Sequence, residues 1–234
     1  MNLSSSPNLA VSQPLPVEVF ISGPLQTNTF LVFDERAREA IVIDPSIQSD
    51  AAFARARELR ARGILLQAIW NTHGHFDHIY DNARWKSEFT VPVLAHAADS
   101  FFVENLREQS LWFGLPAPEI TAIDQVLNGG ETLSVGNFAC RVLTLPGHSP
   151  GSVGFYFESC GACIQGDVLF AGSVGRTDLP GCSESDLAAS LHTLFALPPQ
   201  TQIFTGHGEA TTLERELREN LVARDLMRRY PLRN

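Results

Sequence analysis

The segment Thr72-His-Gly-His-Phe-Asp-His78 holds three of the chain's seven histidines and places an aspartate between two of them. Packing gives no reason for that density. The segment constrains the fold because an apolar run, Ile64–Trp70, reads as a buried strand that delivers the chain straight into it. Alternate side chains of extended backbone project the same way, so His73 and His75 can reach one point. Gly74 between them lets the chain bend tightly. Asp77 and His78 follow where the chain turns into a helix expected over Ile79–Phe89. Adjacent residues diverge, so this pair can address a second point close to the first.

Two points of that kind need more donors, and the remaining chain offers them just past apolar strands. His148 lies in Leu-Pro-Gly-His-Ser-Pro-Gly, Asp167 in Ile-Gln-Gly-Asp and His207 in Phe-Thr-Gly-His-Gly. Each has a neighbouring glycine, which allows close backbone approach. The two remaining histidines lack this setting. His96 reads as structural at a strand end, and His192 as a partly exposed helical residue.

Around these positions the pattern alternates strand and helix. Expected strands are Glu18–Ser22, Thr29–Phe33, Ala40–Asp44, Val91–His96, Glu131–Val135, Ala139–Leu145, Val153–Phe157, Ala162–Gln165 and Gln202–Thr205. Expected helices are Asp50–Arg62, a segment near Ala97–Glu108, Glu184–Phe195 and Thr212–Met227. Ser110–Asp124, with Pro116 and Pro118, reads as an apolar loop in which Trp112 and Phe113 either wall a pocket or fill core. Residues 1–16 read as a flexible polar lead-in and 17–234 as one domain. Two groups of strands, each with its helices, suit two packed sheets with helices outside.

With these residues in place, the chain resembles the metallo-β-lactamase-fold hydrolases from about Val17 to His207. The resemblance implies an α/β (α+β) fold, a four-layer αββα sandwich with a metal site at the edge of its two sheets. It implies that His73, His75 and His148 hold a first divalent ion, that Asp77, His78 and His207 hold a second, and that Asp167 bridges them. The stretch Gly166-Asp-Val-Leu-Phe-Ala-Gly-Ser-Val-Gly-Arg-Thr-Asp-Leu-Pro-Gly181 is similar to the glyoxalase II-like branch, which hydrolyses glutathione thioesters such as S-lactoylglutathione. Arg176 matches the basic residue that holds a glutathione carboxylate there; its other reading is a local pair with Asp178. Two features depart from that branch. Only 27 residues follow His207, too few for its helical C-terminal domain, and Asp178 stands where its tyrosine is found.

The implied chemistry is thioester hydrolysis by a metal-bridging hydroxide, with Asp77 orienting the attacking water. A nitrogen and oxygen donor set suits zinc, and also iron or manganese. Two ions about 3.5–4 Å apart bring water to hydroxide near neutral pH. A thiolate leaves at a pKa near ~8.5, so no separate acid is required. Alternatives on the same fold are a persulfide dioxygenase with a single iron, and a lactone or β-lactam hydrolase.

The formal charge of −9 disfavours nucleic acid or an anionic membrane as partner. It leaves a small-molecule thioester, such as a glutathione conjugate, as the expected ligand. No apolar run is long enough for a membrane span, and no export signal is read in Met1–Pro16, so the expected location is cytoplasmic. Cys140, Cys160, Cys163 and Cys182 are then expected to be reduced. Cys160-Gly-Ala-Cys163 falls in an expected hairpin turn rather than at a helix start, which argues against a redox pair. The sequence sets no oligomeric state.

Overall fold

The structure is a computed structural model that describes residues 13–232. The chain opens with β1 (Val17–Ser22), β2 (Thr27–Asp34) and β3 (Glu39–Ile43), followed by α1 (Asp50–Ala61) and β4 (Leu65–Trp70). A single helical turn, α2 (Phe76–Ile79), precedes α3 (Asn82–Phe89), β5 (Val93–His96), α4 (Ser100–Glu104), α5 (Leu106–Trp112) and β6 (Gln125–Leu127). The second half carries β7 (Thr132–Val135), β8 (Phe138–Thr144), β9 (Val153–Phe157) and β10 (Ala162–Ile164). A short ribbon, β11 (Leu169–Phe170) and β12 (Ser173–Val174), leads to α6 (Glu184–Phe195). The chain closes with β13 (Gln202–Phe204), β14 (Thr211–Thr212), α7 (Leu213–Glu219) and α8 (Leu221–Arg229).

The strands form two six-stranded sheets, ordered β1-β2-β3-β4-β5-β6 and β14-β13-β10-β9-β8-β7. Period-two alternation sorts their side chains into layers. Phe30 and Val32 of β2 join Val142 of β8 and Phe155 of β9 in the core between the sheets. Leu31, between the first two, packs outward with Phe53 and Leu59 of α1 and Trp85 of α3. Leu143 likewise turns outward, onto Leu187 and Leu191 of α6 and Leu226 of α8. These three cores define the expected αββα sandwich.

Strand direction brings the predicted site residues to one end. β3, β4, β5 and β6 pair in parallel, so the residues after β3, β4 and β5 emerge together. In the other sheet β8 and β10 are both antiparallel to β9 and so run the same way, while β13 is parallel to β10. The segments carrying His148, Asp167 and His207 therefore leave at a common edge. Bonds between the sheets close it: Val153 N donates to Thr72 O at 2.8 Å, and Asn28 N to Gly206 O at 2.7 Å.

Several elements differ from the sequence reading. The helix expected over 79–89 starts earlier and breaks at Tyr80–Asp81, so Asp77 and His78 lie on the α2 turn. Helix extends through Trp112 into the expected loop, because Ser110 Oγ and Gln109 Nε2 bond back to Leu106 O and Phe102 O. The C-terminal helix divides at Asn220, whose side chain caps α8 and donates to Ser173 O at 2.8 Å, tying the β11–β12 ribbon down. Strands β6, β11, β12 and β14, two or three residues each, lack a period long enough to read. Residues 1–12 of the expected lead-in lie outside the described residues, whereas Leu15 is buried in the inter-sheet core.

Candidate metal centre

All seven predicted donors meet at the shared edge of the sheets. His73, His75 and His148 form one group, each offering an atom within 4.8 Å of the others; Asp77, His78 and His207 form a second. Asp167 lies between them. Its Oδ2 is 3.5 Å from His148 Nε2 and 3.4 Å from His207 Nε2, and its Oδ1 is 3.5 Å from His78 Nε2. Asp77 Oδ2 stands 3.2 Å from His207 Nε2 and 3.4 Å from His78 Nε2.

The imidazoles are oriented from behind. Nδ1 of His78 donates to Asp44 Oδ2 at 2.9 Å, Nδ1 of His148 to Arg176 O at 3.0 Å, and Nδ1 of His207 to Leu25 O at 3.0 Å. Each bond selects the tautomer that leaves Nε2 facing the centre. Thr72 Oγ1 gives its own proton to Asp44 Oδ2 at 2.6 Å and can therefore accept from His73 Nδ1 at 3.0 Å. His75 is turned the other way, with Nδ1 2.8 Å from His148 Nε2. Two imidazole nitrogens that close require a proton or a shared cation between them. Facing the centre, Nε2 of His73 and His78 and Oδ1 of Asp167 are buried without hydrogen-bond partners. Buried orphan donors of this kind fit a bound divalent ion, because desolvated polar atoms otherwise carry a penalty of about 1–3 kcal/mol each.

Charge divides the cluster. Burial, reinforced by the neighbouring histidines, holds His73 well below its ordinary pKa and His75 at about 3, so both present bare lone pairs. Burial also opposes charge on His78, yet Asp77 and Asp167 raise it to about 9. The same two carboxylates outweigh burial at His207 and raise it to about 11. Burial alone would push Asp77 and Asp167 up, but His78 and His207 hold both below the usual carboxylate range.

Two glycines act through space rather than through φ. A Cβ on Gly206 would overlap Asp167 Oδ1 and lie 2.8 Å from His78 Cε1. A Cβ on Gly74 would meet Asp99 Cβ at 2.9 Å and Phe102 Cβ at 3.0 Å. Gly74 is therefore demanded by close packing, not by the tight bend that the spacing suggested.

Sequence reasoning missed two buried aspartates. Asp44, at the end of β3 with φ of 51°, accepts from Thr72 N at 2.8 Å as well as from Thr72 Oγ1 and His78. Its position after an apolar strand, like that of Asp167, was the available signal. Asp99 accepts from Gly74 N at 2.7 Å, Gly151 N at 2.6 Å and Ser149 Oγ at 2.7 Å, joining the loops of His73–His75 and His148. Nothing local marks Asp99. His96 caps the turn after β5 through Ala98 N, and His192 sits half-buried on α6; neither joins the centre.

The centre forms the floor of a cavity of about 600 Å³ whose lining includes Phe76, Phe101, Phe102, Trp112, Phe113, Phe170 and Arg176. Arg176 lies at this cavity but is engaged: Nε and one terminal nitrogen bond both Asp178 oxygens, at 2.7 and 2.9 Å. Cys160 falls in the β9–β10 turn and Cys163 inside β10, where burial pushes its thiol to about 12. Neither is an activated thiolate. Among the described residues no helix is long and apolar enough to cross a membrane.

Comparison with known proteins agrees with this geometry. The family model described as "Metallo-beta-lactamase superfamily" matches residues 22–207. The hydroxyacylglutathione hydrolase GloC of Haemophilus influenzae is 35% identical over 87% of this chain and 96% of its own length. The crystal structure of TTHA1623 in a di-iron-bound form aligns with a TM-score of 0.78 and 37% identity, covering 87% of this chain and 98% of that one. The BLEG-1 B3 metallo-β-lactamase aligns with a TM-score of 0.79 and 33% identity, covering 88% and 98%.

Proposed function

The chain belongs to the metallo-β-lactamase superfamily, and from that premise we propose that it is a dinuclear metal hydrolase cleaving thioesters of the S-lactoylglutathione type. The observation that carries the reading is the convergence of seven buried or half-buried donors, with orphan nitrogens and a carboxylate oxygen, on the floor of a substrate-sized cavity. The likeness to a hydroxyacylglutathione hydrolase supports the thioester.

In this reading His73, His75 and His148 would hold one ion and Asp77, His78 and His207 the other, with Asp167 placed to serve both. Two divalent ions bound there, zinc, iron or manganese, would supply a water of lowered pKa and Lewis-acid polarisation of the acyl oxygen. The protein's part is orientation. Asp44 and Thr72 fix the rings of His78 and His73, and Asp99 locks the two histidine loops together. Asp77, held by Thr27 Oγ1 at 2.9 Å, keeps a carboxylate beside the attack position to orient the water. The thiolate departs without a dedicated acid. Arg176 binds an anionic end of the thiol half by exchanging its bond to Asp178.

Metal analysis of the purified protein, combined with thiol release from S-lactoylglutathione, tests the reading. Two ions per chain with thiol release is the expected result. One iron with oxygen uptake on glutathione persulfide would replace it with an oxygenase. The likeness to BLEG-1 favours β-lactam hydrolysis as a second reading, and opening of a chromogenic cephalosporin without thioester cleavage would select it.

A further inference from the structure

The wall of the cavity has a chemistry that its floor does not explain. Phe101 on α4, Trp112 at the end of α5 and Phe113 are 61%, 75% and 54% exposed, and all three line the cavity above the His/Asp cluster. Phe113 stacks on Phe76 with ring centres 4.6 Å apart, and Phe102 meets the His75 ring at 4.8 Å. The aromatic surface is thus continuous from solvent to the metal centre. Large exposed apolar side chains gathered at one place signal a ligand surface.

Two polar residues on this wall are tied to its own backbone. Gln109 Nε2 donates to Phe102 O at 2.6 Å, and Asn105 Nδ2 to Phe101 O at 2.7 Å. Glu108, also lining, adds negative charge. Arg176 is the one lysine or arginine lining the cavity among the described residues, and in the proposed reading it serves the thiol half rather than the acyl group. Three exposed aromatic rings dominate this wall, and burying them rewards a bulky apolar acyl group more than a small hydroxylated one.

We propose that the α4–α5 wall is the acyl subsite, selecting thioesters whose acyl group is bulky and apolar, aromatic or branched, over small hydroxyacyl groups such as lactoyl. This rests on the thioester reading and sharpens it. A hydrophobic contact of one or two groups discriminates by about 10–200-fold, so the preference is expected in that range.

The test uses the full metal-loaded chain and four substrates: phenylacetyl and lactoyl thioesters, each of glutathione and of N-acetylcysteamine. The expected result is a phenylacetyl-to-lactoyl ratio of kcat/KM above about tenfold with either thiol. Trp112→Ala and Phe101→Ala should each lower that ratio, and Leu221→Ala, exposed on α8 outside the cavity, should leave it unchanged. Binding gives a separate readout. Trp70 and Trp85 are buried, so a shift of tryptophan emission on adding a non-hydrolysable phenylacetyl ketone analogue reports Trp112 and should vanish in Trp112→Ala.

Hydrolysis of all four substrates with ratios near one overturns the subsite and leaves the thioester reading standing. A preference that follows the thiol rather than the acyl group does the same. Cleavage of none removes the thioester reading itself. A dimer that Trp112→Ala converts to monomer with the ratio unchanged would make the wall a contact between copies of this chain.

Discussion

The floor and the wall of the cavity are built on opposite principles. On the floor, His73, His78, His148 and His207 each have a ring nitrogen committed to an oxygen partner, and Asp44 and Asp99 each accept three hydrogen bonds. On the wall, Trp112 and Phe101 stand in solvent on short helices, held by a few bonds to their backbone. A hydrogen-bonded floor keeps donors within the narrow tolerance that catalysis demands. An apolar wall gains from shape and area, tolerates exchange, and can differ between relatives without disturbing the chemistry.

The contrast breaks most visibly at a donor. His73→Ala should lower kcat/KM by about a thousandfold, the scale of losing one preorganised electrostatic group, while elemental analysis finds fewer than two ions per chain. Full activity with two ions retained would remove His73 from the centre.

Next in size is the clamp between loops. Asp99→Ala strands Gly74 N, Gly151 N and Ser149 Oγ, and should lower unfolding stability in urea by about 2–4 kcal/mol. A change below the error of the fit would mean that the loops hold without it.

Asp44→Asn is a finer probe, since asparagine tolerates the left-handed backbone at φ 51°. Losing the carboxylate behind His78 and Thr72 should weaken metal affinity about 10–100-fold in a chelator competition, with the fold retained.

The floor also divides within itself by charge. At pH 7 the metal-free His78 and His207, raised to about 9 and about 11, carry a second proton that a metal must displace, while His73 and His75 stay neutral with one ring nitrogen already bare. Loading should therefore release up to about two protons, seen as a buffer-dependent calorimetric enthalpy. Proton uptake would reverse the assignment.

The smallest effect belongs to the wall. Trp112→Ser should change stability by less than about 0.5 kcal/mol, because little of the side chain is buried. A loss comparable to Asp99→Ala would make the wall structural and erase the contrast.

The seven clustered His and Asp residues were legible as candidates because each carries a local mark: close spacing in Thr72–His78, or a glycine beside a polar residue just past an apolar strand. The longer strands of both sheets were legible for the same reason, since burial on one or two faces writes a period into the sequence. Other features were decided by the tertiary structure. Asp99 reads as an ordinary polar residue, and it becomes a clamp because α4 packs where Gly74 and Gly151 converge. Arg176 reads either as an anion anchor or as a local partner of Asp178, and the structure shows the pair with Asp178 at the cavity. Trp112 and Phe113 could as well have been core; α5, which ends at Trp112 with Phe113 just beyond it, decides that they face the cavity. Sequence records what a residue needs from its immediate neighbours along the chain. Which groups meet across distant segments depends on strand direction and sheet packing, and no short window contains either.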